Sequence, residues 1–160
     1  MLLSGYGYFF LLGENMANKE IVEEKIDGID IADFFTKENQ DNGVWCEPNL
    51  DGKIGVEFLV IGAESNEAAQ LFADYDKDMG RIKEIKDVST KNEEIRKALA
   101  TTAAKITKDF RAKDGKPLLI KGEPLKYSFN ACYTIMYNSP SIADELIRFA
   151  RKDTNFMAKK

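Results

Sequence analysis

The segment GVWCEPNLDGKIGVEFLVIG, residues 43–62, holds two β-rich runs, and directly after it the apolar spacing changes from two residues to three or four. No other feature of the 160-residue chain limits its possible folds as much. Residues 44–47 and 54–61 carry the runs, and Asn49 and Asp51 ahead of Gly52 supply the turn between them. In the second run Ile54, Val56, Phe58 and Val60 alternate with Gly55, Glu57, Leu59 and Ile61. That strand is expected to begin half-exposed and end buried.

Beyond Gly62 the pattern is helical. Ser65 offers an N-cap, with Ala68, Phe72, Tyr75, Met79 and Ile82 on one face and Gly80 placed to bend or end the helix. A second helix is predicted over 91–110, with the stripe Ile95, Leu99, Ala103, Ile106 and Phe110. RAKDGKPLLIKGEP interrupts. Pro124 then opens a helix carrying Leu125, Phe129, Cys132 or Tyr133, and Met136. Ser139 and Pro140 start the last one, whose inner face is Ile142, Leu146 and Phe149. Upstream, DIADFFTKEN is expected to form a short helix capped by Asp30. The fold class is α+β: an N-terminal β-hairpin or small antiparallel sheet packed on about four C-terminal helices. One domain is expected over 16–160, β-rich over 43–62 and helical over 65–157.

Residues 1–15, MLLSGYGYFFLLGEN, read differently from the rest, apolar and aromatic with Glu14 as their one charge. They lack a basic n-region and a small-residue cleavage site, and the run is too short to span a bilayer. MANKE from Met16 looks like an ordinary start, and Gly13-Glu14-Asn15 can be encoded by a purine-rich ribosome-binding sequence. The segment is read as a mis-assigned or disordered leader; the alternative is a genuine arm that packs on a partner.

The net charge of −4, from 23 basic and 27 acidic residues mixed along the chain, argues against nucleic acid or a membrane surface as partner. The absence of histidine removes the Ser/His and Cys/His dyads and His-ligated zinc. Cys46 and Cys132 sit in apolar settings without metal-ligand spacing and read as buried free thiols of a reducing cytoplasm. ADYDKDMGRIKE places Asp74, Asp76 and Asp78 on alternate positions, as a calcium loop does. Met79 stands where that loop needs glycine and Ile85 where it needs the closing glutamate, so a solvated helix face is the better reading. No catalytic, cofactor-binding or metal-binding constellation can be assembled, and the chain is not read as an enzyme.

The aromatic residues are the candidates for binding. Trp45 is either an anchor for a partner or a packed core indole. Tyr127, Phe129, Tyr133 and Tyr137 form a dense set, read as part core and part interaction face. Phe156, in DTNFMAKK, either folds back to cap the core or docks on a neighbour.

Taken in order, the Trp-containing strand, EFLVIGAESNEAAQ, AAKITKDFRAKDGKPLLIKGEPLKYSF and YNSPSIADELIRFARKDTNF resemble the small tail-assembly chaperones, and related tail-gene proteins, of tailed bacteriophages. The shared pattern is an aromatic position, a D-G-K-P turn, a helix, a P-x-I boundary and a closing helix ending in Asn-Phe, over about residues 43–157. Phe110, where such proteins often carry Trp, and Ile120-Lys121-Gly122 depart from it. The resemblance implies a non-enzymatic protein of the host bacterial cytoplasm that binds the phage tape-measure protein, or another tail protein, during tail morphogenesis. Trp45, Tyr127, Tyr133, Tyr137 and Phe156 are the candidate partner-binding residues, and self-association is open. The alternative is a structural virion, tail-completion or minor tail protein, with the N-terminal arm and Phe156 as intersubunit contacts. Many such chaperones also have a longer form made by a ribosomal slip. Codons GCA-AAA-AAG for Ala158-Lys159-Lys160 would supply the slippery heptamer.

Overall fold

The computed structural model describes residues 6–8, 23–25 and 27–158. β1 (Tyr6–Tyr8) pairs antiparallel with β2 (Glu23–Lys25), Tyr6 opposite Lys25. The remainder of the leader expectation for residues 1–15 lies outside the described residues. The helix expected in DIADFFTKEN is two pieces. Asp30 caps a single 3₁₀ turn (Ile31–Phe34), its carboxylate accepting from Ala32 N at 2.9 Å, and α1 follows (Lys37–Asn42). Gly43, at φ 87°, ends α1, and its N–H donates to Asn39 O at 2.8 Å.

β3 (Val44–Cys46) and β4 (Val56–Val60) form the expected antiparallel pair, with Val44 opposite Val60 and Cys46 opposite Phe58. The link turns through Asp51 and Gly52, both at positive φ, with Gly52 N donating to Asn49 Oδ1 at 2.8 Å. Phe58, Val60 and Ile61 are buried while Val56 is half-exposed, as the alternation implied.

α2 (Ala69–Lys83) follows a turn in which Ser65 Oγ accepts from Ala68 N at 3.1 Å. The helix neither ends at Gly80 nor needs to. Gly80 faces open space, so it costs only its propensity, about 1 kcal/mol, against the docking of Phe72 and Ile82.

α3 (Val88–Ile106) starts earlier and stops sooner than the predicted 91–110. Asp87 caps it, accepting from Thr90 N at 2.8 Å. At its end Thr107, already extended, donates its hydroxyl to Ala103 O at 2.7 Å. The chain then becomes β5 (Thr107–Ala112), so Phe110 lies on a strand rather than on the helical stripe. TKDFRA fits both periods, and the open edge of β4 decides between them. Phe110 pairs opposite Phe58, their rings 6.3 Å apart, and the sheet order is β3-β4-β5. A bulge at Leu59/Val60 leaves Lys108 without an opposite partner in the ladder.

Pro124 does not open a helix. β6 (Leu119–Ile120) and β7 (Glu123–Pro124) form a hairpin around Lys121 and Gly122, at φ 49° and 83°. Two successive positive φ angles match the twist of a tight hairpin, and proline is tolerated in so short an edge strand. α4 (Phe129–Asn138) begins instead at Ser128, whose Oγ accepts from Ala131 N at 3.0 Å.

α5 (Pro140–Arg151) starts with proline in its first turn, as expected, although the Ser139 side chain makes no cap bond. Its buried face is Ala143, Leu146, Ile147 and Ala150; Ile142 and Phe149 are only half-buried. A closing 3₁₀ turn (Asp153–Phe156) brings Phe156 into the core.

α3 is the central element, packing on α2, α4 and α5. Ala100, Ala103 and Ala104 are fully buried there, and such small side chains let helices approach closely. Cys46, Phe58, Val60 and Phe110 join the helical residues in one core cluster. The fold is α+β, with a third strand, β5, added to the expected sheet and β6–β7 forming a separate two-stranded hairpin.

Candidate functional site

α4 turns Cys132 and Met136 into the core and carries Phe129, Tyr133 and Tyr137 along another face, one turn apart. The three rings form a ladder, with centroids 6.2 Å apart for Phe129–Tyr133 and 6.0 Å for Tyr133–Tyr137. Its far end is fixed by α3. Tyr137 OH donates to Glu93 Oε1 at 2.6 Å, Arg96 Nη1 donates to Tyr137 O at 3.2 Å, and the Arg96 guanidinium lies 5.5 Å from the ring. The hydrogen bond to the Glu93 carboxylate favours the neutral phenol and pushes the Tyr137 hydroxyl above its ordinary pKa. The near end is open, with Phe129 45% exposed.

Tyr127, just ahead of α4, packs toward the sheet. It is 40% exposed, yet its hydroxyl donates to Thr107 O at 2.7 Å and its ring meets Phe110 edge-on at 5.6 Å. Burial of the phenol raises its pKa. It ties the start of α4 to β5 while leaving part of its ring outside.

Trp45 is neither a core indole nor part of this surface. Alternation along β3 sends Cys46 inward and Trp45 to the outer face of the sheet, half-buried. There the Arg111 guanidinium stacks 3.8 Å from the indole centroid, and Arg111 Nε donates to Glu57 Oε2 at 2.9 Å. Phe156 is corrected as a partner-binding candidate. It is wholly buried, its ring is 5.6 Å from that of Phe149, and Asn39 Nδ2 donates to its carbonyl at 2.8 Å. It caps the core. The structure thus stacks Tyr133 and Tyr137 together, places Tyr127 against Phe110 and β5, and puts Trp45 and Phe156 elsewhere.

The aspartates of ADYDKDMGRIKE lie along the unbroken α2. Asp74 accepts from Gln70 Nε2 at 2.9 Å, Asp76 pairs with Arg151 at 2.6 Å, and Asp78 lies 4.0 Å from Arg81. Among the described residues no cluster of three or more His, Cys, Asp or Glu could hold a metal ion. Both cysteines are buried and free, and burial pushes the Cys46 thiol up to about 12 and the Cys132 thiol to about 11. Such thiols stay protonated and unreactive at neutral pH.

Two features escaped the sequence reading. Glu93 and Arg96 orient Tyr137, but no local signal links α3 to a residue so far along the chain. The second is an arm ahead of α1. Ile29, Ile31, Phe34 and Phe35 are 87, 68, 53 and 64% exposed. The signal was present in GIDIADFF, whose apolar residues follow no helical stripe.

Neither a family profile, nor a curated protein sequence, nor a solved structure matches this chain. Among the described residues no helix is long and apolar enough to cross a membrane.

Proposed function

We propose that this chain is a non-enzymatic protein of the phage tail-assembly chaperone kind, holding apolar helical segments of a tape-measure protein in the host cytoplasm while the tail is built. The observation that supports it best is the Phe129–Tyr133–Tyr137 ladder. Rings one helical turn apart match the spacing of apolar anchors on a partner helix laid along α4. Tyr137 is already fixed by Glu93 and Arg96, so less side-chain freedom is lost on binding there. Phe129, 45% exposed, is accessible at the open end of the ladder.

The test is co-expression with the tape-measure protein encoded beside this chain's gene. The expected result is that the wild-type chain keeps that protein soluble and co-purifies with it. Phe129→Ala, at the exposed end of the ladder, should weaken both properties while its melting temperature stays close to wild type. An undiminished complex would remove the ladder from the role. Stoichiometric presence of the chain in purified particles would replace the chaperone reading with that of a structural tail protein.

A further inference from the structure

We propose that Asp27 is a site of spontaneous backbone isomerisation to isoaspartate, the one of four Asp–Gly or Asn–Gly pairs that the fold leaves reactive. The pairs are Asp27-Gly28, Asn42-Gly43, Asp51-Gly52 and Asp114-Gly115. In each, the glycine has no Cβ to hinder its backbone nitrogen from attacking the side-chain carbonyl carbon of the residue before it. The new N–C bond closes a five-membered succinimide. The nitrogen gives up its proton, and the side chain leaves as water from aspartate or as ammonia from asparagine. Water, the only co-reactant, then opens the ring. Cleavage at the side-chain carbonyl gives aspartate, and cleavage at the main-chain carbonyl gives isoaspartate, in which the main chain runs through Cβ and Cγ.

The attack needs a free glycine N–H and a side-chain carbon able to swing over it. Three of the pairs lack one or both. Gly43 N donates to Asn39 O at 2.8 Å, and Asn42, the last residue of α1, would have to leave its helical backbone angles to present its carboxamide. Gly52 N donates to Asn49 Oδ1 at 2.8 Å. Gly115 N donates to Ala112 O at 3.2 Å. The Asp114 carboxylate is engaged one residue beyond that nitrogen, accepting from Lys116 N at 3.0 Å and lying 3.8 Å from Lys116 Nζ.

Asp27-Gly28 has none of these restraints. Among the described residues neither Gly28 N nor the Asp27 carboxylate has a hydrogen-bond or ion-pair partner, and both residues are exposed. Nothing lies within 4 Å of where a Cβ on Gly28 would stand. The pair sits between β2 and the 3₁₀ turn capped by Asp30, where the backbone can rotate without breaking a helix or a strand. The folded chain is therefore reactive at Asp27 as it stands, whereas the other three pairs must wait for a local opening. Isomerisation lengthens the main chain in that segment and leaves the core untouched.

Prolonged incubation of the full chain, folded and in urea, followed by tryptic mapping with fragmentation that separates isoaspartate from aspartate, tests this. The rate at each pair in the folded chain is divided by its own rate in urea, which removes the intrinsic difference between asparagine and aspartate. The ratio should be near one at Asp27, read in the peptide 26–37, and at least about tenfold lower at Asn42, Asp51 and Asp114. Gly28→Ala, which adds a methyl group in open space, should suppress the reaction at Asp27 and leave circular dichroism unchanged. Asn49→Ala, which releases Gly52 N, should raise the ratio at Asp51 and leave Asp27 as it was. A ratio at Asp27 as low as those of the other pairs, another pair as reactive as Asp27 on this scale, an Asp27 rate indifferent to Gly28→Ala, or an Asp51 ratio indifferent to Asn49→Ala would each overturn the proposal.

Discussion

Gly62 and Gln40 compete for one space: a Cβ on Gly62 would collide with the Gln40 side-chain amide. Gln40 is buried and held at both ends, its Nε2 donating to Asp153 Oδ1 at 2.7 Å and its Oε1 accepting from Glu64 N at 3.2 Å. Gly62 N also donates to Gln40 O at 2.9 Å. One buried glutamine therefore joins α1, the exit of β4 and the C-terminal 3₁₀ turn, and a glycine makes room for it.

Gly62→Ala should accordingly destabilise the fold by about 1–3 kcal/mol, the usual cost of overpacking a filled site. Gln40→Ala should also destabilise it, by removing two buried hydrogen bonds. The double variant should cost less than the sum, because the smaller residue at 40 frees the space the new methyl needs. Urea midpoints of the four proteins measure this coupling. Strict additivity would mean that the two side chains do not share the site.

The faces of α5 can be separated in the same way. Leu146 is wholly buried, so Leu146→Ala should cost about 2–5 kcal/mol. Phe156→Ala should cost about 3–5 kcal/mol, since it empties the pocket beneath Phe149. Phe149→Ala should cost less than either, because Phe149 is only half-buried. An order with Phe149 first would restore the inner face expected from the helical spacing.

Tyr137→Phe removes one hydroxyl and leaves the ladder of rings in place. The loss of its bond to the partly exposed Glu93 should lower stability slightly. It should also loosen Tyr133, whose ring stacks on Tyr137 at an interplanar angle of 20°. Thermal melts report the first effect, and aromatic-ring proton relaxation of Tyr133 the second. No change in either would show that Glu93 does not hold the ladder.

What the sequence disclosed, and what it withheld, follows the range of the forces involved. β3 and β4 were legible because Asn49, Asp51 and Gly52 and the alternation around Phe58 are local signals. The last helix was legible at Pro140, a fixed-φ residue at its N-terminus. β5 was not, because Phe110 and Ile106 fit a helical stripe equally well and only pairing with β4, more than forty residues upstream, selects the strand. Pro124 was misplaced because a proline suits both a helix start and an edge strand, and the positive φ of Lys121 and Gly122 chose the latter. At the candidate site, the tyrosines could be found from their density alone. Their separation from Trp45 could not, because the side of the sheet on which a residue falls depends on register. Phe156 was open to two readings until the Asn39 bond to its carbonyl fixed the chain end against α1.

The two buried thiols make the fold less stable in alkali. In the unfolded chain each ionises around its ordinary value of 9.0, whereas burial raises Cys46 to about 12 and Cys132 to about 11 in the folded protein. A raised pKa on an acid means that the native state keeps its proton longer than the unfolded state does. The stabilisation is therefore complete below pH 9 and is lost as pH rises through the window from 9 toward 12, at up to about 1.4 kcal/mol per pH unit for each thiol. The raised Tyr127 and Tyr137 hydroxyls act in the same direction at higher pH. Urea midpoints of the wild type, each taken relative to its own value at neutral pH, should fall steeply over this window. Cys46→Ala/Cys132→Ala starts less stable, because it leaves two small cavities, but its curve should fall more gently from pH 9 to pH 11. Parallel curves for the two proteins would show that the thiols ionise alike in the folded and unfolded states, and so are not buried as the structure places them.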